Sequence, residues 1–60
     1  KPDYAEARVN RALVRREMGD RDGAIADLAA ALAGAPEDWP PRPQLERLLE
    51  TLRAAAGEQR

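Results

Sequence analysis

The sequence predicts an all-α fold, an antiparallel helical hairpin followed by a third amphipathic helix. Three observations carry this: apolar residues recur at helical spacing in three segments, Gly and Pro fall at the segment ends, and no stretch alternates apolar and polar residues as a strand would. The resulting organisation is a helix-turn-helix over 1–38, a Pro-rich connector at 39–42 and a C-terminal helix over 43–60.

The first helix is expected over about 4–18. Asp3 precedes it and Glu6 follows three residues on, the spacing at which a cap carboxylate accepts from first-turn N–H groups and the later side chain reaches back. Val9, Ala12, Leu13, Val14 and Met18 supply its apolar positions. Gly19 ends it, because glycine enters the left-handed conformation without a Cβ penalty. The second helix is expected over about 22–33, capped by either Asp20 or Asp22, with a stripe of Ala24, Ile25, Leu28, Ala31 and Leu32. Gly34 and Pro36 stop it. A connection of about four residues forces the two helices antiparallel.

Residues 35–43, APEDWPPRP, resist helix, because each proline removes a donor and pushes its predecessor towards extended geometry. The third helix, about 43–56, opens near Pro43, which suits a first-turn position. Leu45, Leu48, Leu49, Leu52 and Ala56 form the clearest stripe in the chain, expected to pack against the second helix or its equivalent in a neighbouring chain. Gly57 ends the helix and residues 58–60 fray.

Sixty residues bound the chain to one small domain, whose core supplies roughly 3–5 kcal/mol. There is no Cys or His to form a disulfide or a structural metal site. Stability then rests on helix packing, on self-association or on a larger parent chain; a start at Lys1 rather than Met fits either a fragment or a processed chain. The net charge of −1 leaves no footprint for nucleic acid. The charges are nevertheless uneven. Residues 4–18 carry four Arg against two Glu, and residues 19–38 carry Arg21 against Asp20, Asp22, Asp27, Glu37 and Asp38. That is either a dipolar surface suited to orienting a partner or, more commonly, an ordinary mixed surface. No apolar run approaches the ~20 residues of a membrane span, and no signal peptide is visible, so a cytoplasmic protein without a membrane partner is expected. Abundant Ala and Arg with almost no Lys fit the coding of a GC-rich bacterial genome.

Enzyme chemistry lacks its parts. There is no Cys, His or Ser, and Thr51 is the only aliphatic hydroxyl, so no activated nucleophile is available. No enzyme activity, cofactor or metal site is therefore expected. Glu46 and Glu50 stand one helical turn apart, but beside Arg47 and Arg53, as in a solvated face with ion pairs. Asp20-x-Asp22-Gly23 has part of a calcium-loop spacing, but its first and twelfth ligands would be Met18 and Ala29. Helix capping explains the same residues better. Trp39 either anchors a partner or, more often in such a loop, packs over the open end of the hairpin. Pro40 to Pro43 offers a PxxP spacing that more often marks a stiff linker than a ligand. Arg8, Arg11 and Arg15 line one stripe, either a solvated face or a receptor for acidic or phosphorylated segments.

Residues Ala5 to Asp38 resemble one complete tetratricopeptide repeat of 34 residues. The stretch Gly19-Asp20-x-x-x-Ala24-Ile25-x-x-Leu28-x-x-Ala31-Leu32, followed by Pro36, carries the likeness, together with Asn10-Arg11-Ala12-Leu13. The resemblance implies an α-solenoid unit in which Ala12 and Ala24 let the two helices approach closely. Arg8, Arg11 and Arg15 stand where the family often has Trp, Leu and Tyr. The resemblance does not extend to 39–60, where the third helix looks like the solvating helix that closes many such arrays. It implies a protein–protein interaction module, the terminal part of a helical-repeat scaffold that binds a peptide or partner protein. The concave surface of the family falls on Val9, Asn10, Leu13, Arg16 and Glu17, with Glu6 beside them. Val9 and Leu13 replace a Lys and an Asn that some relatives use to hold a peptide carboxylate, so an apolar groove is expected. Alternatives are a self-assembling element that forms a homo-oligomer or stacks on neighbouring repeats, and a helical domain appended to a larger enzyme.

Overall fold

The computed structural model describes residues 2–58, with side chains described from Tyr4 to Gly57. It contains three helices, α1 Pro2–Glu17, α2 Arg21–Gly34 and α3 Arg42–Glu58, with no strand among the described residues. The all-α expectation holds; α2 and α3 run slightly past both ends of their expected spans, while α1 starts two residues earlier and ends one residue sooner.

α1 begins at Pro2, whose fixed φ suits a first turn, so Asp3 is already helical and is not the residue before the helix. Its other end closes on Gly19 at φ 88°, the left-handed residue expected there. The N–H of Gly19 donates to the carbonyl of Arg16 at 3.1 Å and that of Asp20 to Arg15 at 2.8 Å, the paired bonds of a Schellman turn. Asp20 then works in the opposite direction. Its carboxylate accepts from the Gly23 N–H at 3.0 Å, so Asp20, rather than Asp22, caps α2. Gly23 leaves room for this cap, since a Cβ there would run into the Asp20 carboxylate and the Arg15 guanidinium.

α2 includes Gly34 and stops at Ala35, which is extended (φ −86°, ψ 150°) as a residue before proline should be. Two tight turns follow. The Trp39 N–H donates to Pro36 at 3.2 Å and the Arg42 N–H to Trp39 at 3.0 Å. Arg42 and Pro43 are already helical, so Pro40 to Pro43 form no polyproline stretch. The Arg42 side chain reaches back and donates to the Leu32 carbonyl at 2.9 Å and the Ala35 carbonyl at 3.4 Å. A cation thus sits on the negative end of α2. α3 passes through Gly57 to Glu58, because a glycine stops a helix only where the chain turns left-handed, and Gly19 alone has positive φ among the described residues. Of residues 58–60, expected to fray, Glu58 is still helical, and Gln59 and Arg60 lie outside the described residues.

α2 is the middle layer. Ion pairs join Arg15 to Asp20 near the turn and Arg11 to Asp27 further from it, so α2 folds back along α1. α3 packs on α2 as well, and no Cα of α3 comes within 8 Å of one in α1. The core consists of Ala12, Ala24, Leu28, Leu32, Leu49 and Leu52, with Val9, Ile25, Ala29, Leu45 and Leu48 packed against it. Ala12 is 1%, and Ala24 and Leu28 0%, exposed. Val14 and Met18, apolar positions of the first segment, face outward, because Ala5 and Ala12 occupy the inward side. The outer face of α3, with Gln44, Glu46, Arg47, Glu50, Thr51 and Arg53, is exposed and carries no large apolar side chain. No helix among the described residues is long and apolar enough to cross a membrane.

Candidate interaction surface

α1 presents distinct faces, because 3.6 residues per turn distribute its sequence around the axis. Ala5 and Ala12 are buried towards α2. Beside them runs the arginine stripe, and it is not simply a solvated face. Arg11 Nε donates to Asp27 Oδ2 and Arg11 Nη2 to Asp27 Oδ1, both at 2.9 Å, a bidentate fork between α1 and α2. Arg15 Nε lies 3.5 Å from the same carboxylate, and Arg15 Nη1 lies 3.5 Å from Asp20. The Asp27 side chain is only 7% exposed, while that of Arg11 is 58% exposed, so the carboxylate lies beneath a layer of guanidinium groups. No described buried side-chain polar atom lacks a partner.

The electrostatics follow from this geometry. Hydrogen bonds from Arg11 hold the Asp27 carboxyl below its ordinary pKa, the charges of Arg11, Arg15 and Arg8 act in the same direction, and burial opposes them. The hydrogen bonds to Asp27, helped by its charge, raise the Arg11 guanidinium against the opposing effect of burial. A carboxylate so engaged is a structural tether with little basicity at neutral pH. Pattern reading does not single out Asp27, because a charged residue amid Ala and Leu passes for the polar edge of an amphipathic helix. The signal was present nonetheless. Arg11 and Asp27 stand eight positions on either side of Gly19, and residues equidistant from a tight turn lie abreast in a hairpin.

The five residues expected to contact a partner are divided by the structure. Asn10, Arg16 and Glu17 are exposed and Leu13 is half-buried. Val9 is packed against the core, which gives it a partner within the molecule that its sequence position did not reveal. Beyond this group, the exposed large apolar residues of the described chain are Tyr4 at 70% and Val14 at 57%, on α1, and Met18 at 76%, one residue past its end. Trp39 is half-buried and lies outside the core. It borders a shallow depression of about 520 Å³ with Asp38, Arg42 and Glu46. Glu46 is paired 3.2 Å from Arg42, one turn earlier, instead of with Arg47 or Arg53. No protein-family model matches the chain, and no curated protein or solved structure matches it either.

Proposed function

We propose that the chain is a non-enzymatic protein–protein interaction module, the terminal part of a tetratricopeptide-like helical scaffold, and that α1 is its working surface. The observation that carries the reading is the outward placement of large apolar side chains on α1, when α2 and α3 turn theirs inward. Apolar side chains clustered on one exposed element mark interaction surfaces more often than scattered ones do. The repeat-like part of the reading is supported by the turn at Gly19 and by the burial of Ala12, Ala24, Leu28 and Ala31, the positions the resemblance assigns to packing.

In this reading a peptide or partner protein lies along the outer half of α1. Leu13 contributes apolar contact, with Asn10, Arg16 and Glu17 as a polar rim that sets register. Selection of a displayed peptide library against the chain tests it. Selected peptides should perturb the amide resonances of α1, and Leu13→Asp or Val14→Asp should remove their binding while the helical circular-dichroism signal stays intact. Failure to enrich any peptide, or binders that perturb only α3, would overturn the reading. The uneven charge along the chain favours one alternative, self-assembly, which a solution mass above that of the monomer would reveal.

A further inference from the structure

We infer that the outer seam of α1 docks an acidic amphipathic helix of a partner protein. This rests on the interaction reading above and specifies the chemistry of the partner. Tyr4, Ala7, Arg11, Val14 and Met18 are all exposed and follow one another at spacings of three, four, three and four residues. That is the 3.5-residue period of a helix that packs lengthwise on another helix. The seam is about 21 Å long at the helical rise per residue. Its surface has relief. A depression of about 330 Å³ lies among Tyr4, Ala7, Arg8 and Arg11. A second, of about 380 Å³, lies between Tyr4 and Arg8 on one side and Ala30, Ala31 and Gly34 of α2 on the other. Ala7 lines the first and Ala30, Ala31 and Gly34 the second, leaving holes into which side chains of a facing helix fit.

Charge selects the partner. Arg8 is exposed, and no ion pair engages it among the described residues. Arg11 spends Nε and Nη2 on Asp27, and its Nη1 has no bonded partner among the described residues. Because the Asp27 carboxylate is buried, an approaching surface meets guanidinium groups beside apolar side chains. A helix with an apolar stripe and flanking Asp or Glu complements both features. A second copy of α1 does not. Arg11 lies seven positions from Tyr4 and seven from Met18, so antiparallel pairing of two seams would set Arg11 against its own counterpart.

Fluorescence anisotropy with two synthetic helical peptides of about 18 residues, long enough to cover the seam, tests the inference. Both carry Leu at alternating three- and four-residue spacing, one with Glu flanking the stripe and the other with Lys. The Glu peptide should bind at least about tenfold more tightly, and its advantage should shrink as salt rises. The double variant V14D/M18D should lose binding with its helicity intact, since both side chains are exposed in the free chain. Arg8→Glu should reverse the preference between the peptides. Equal binding of the two, or Glu-peptide binding unchanged in the double variant, overturns the inference. So does binding only to phosphatidylserine vesicles, which would make the seam a lipid contact, or concentration-dependent self-association that the double variant abolishes. If library peptides bind through Leu13 while the Glu peptide does not bind, the acidic-helix inference falls and the interaction reading stands.

Discussion

Asp27 concentrates the polar chemistry of the hairpin in one side chain, and its charge state links stability to pH. Its pKa is lowered on folding, so its contribution is present in full above the unfolded value of about 4 and is lost as pH falls through the folded value. Thermal stability should therefore drop on acidification below about pH 4, and Asp27→Asn should flatten that dependence while lowering stability at neutral pH. Melting curves of the two proteins across this range check it, and parallel curves would mean that other carboxylates control the acid limb. Gly19 makes a separate demand. At φ 88° a Cβ is disfavoured whatever the space, so Gly19→Ala should cost about 1–2 kcal/mol in denaturant unfolding. Gly19 and the two alanines were legible in the sequence because each answers to a local rule of turn or close approach. Asp27 was not, because its partner lies on the other helix and pattern rules treat a charge as outward-facing until a cation across the interface is identified.

Among the elements, α2 and α3 follow their stripes and α1 departs from its own. Of the apolar positions that recur at helical spacing in the first segment, Val14 and Met18 are exposed, and the inward side is built from Ala5 and Ala12. Small residues there let α1 lie close to α2, and that closeness makes the interface intolerant of bulk. Ala24, fully buried at this interface, should lose about 1–3 kcal/mol on replacement by Leu through overpacking. An unchanged melting temperature would show that the helices separate more readily than their buried alanines suggest. The leucine stripe of α3 makes the opposite kind of contact, large side chains against α2. Leu49→Ala and Leu52→Ala should each cost about 2–5 kcal/mol, whereas Leu45→Ala, half-buried at the start of α3, should cost less. Equal losses at all three would contradict the burial gradient. The helix boundaries were legible at Gly19 and Pro36, where sterics act on a single residue. They were missed at Gly57, where nothing forces the backbone to turn.

As a whole the molecule is a row of three helices, 35 × 19 × 14 Å in extent, with α2 in the middle and the backbones of the outer helices well separated. α2 is then the main link between α1 and α3. Opening of either outer helix leaves the other's backbone packing on α2 in place, much as units of stacked-repeat proteins interact chiefly with their neighbours. Native-state hydrogen exchange should show amides of α2 protected up to the global unfolding free energy, with α1 and α3 exchanging through separate and cheaper openings. A single protection level across all three helices would instead mean one cooperative unit. The arrangement was legible in outline, since helix count, order and the packing of the leucine stripe follow from periodicity. Which side of α1 remains open was not, because it depends on how the inward alanines rotate that helix against α2.

The polar outer face of α3 also bears on stoichiometry. Gln44, Glu46, Arg47, Glu50, Thr51 and Arg53 give a further helix no apolar surface to cover, so the row cannot be extended from that side. One flank of the molecule carries exposed apolar side chains and the opposite flank repels dry contact. Head-to-tail growth into a filament needs two complementary faces on every copy, and this molecule has one. Association through α1, as proposed above, would therefore leave α3 on the outside of the complex.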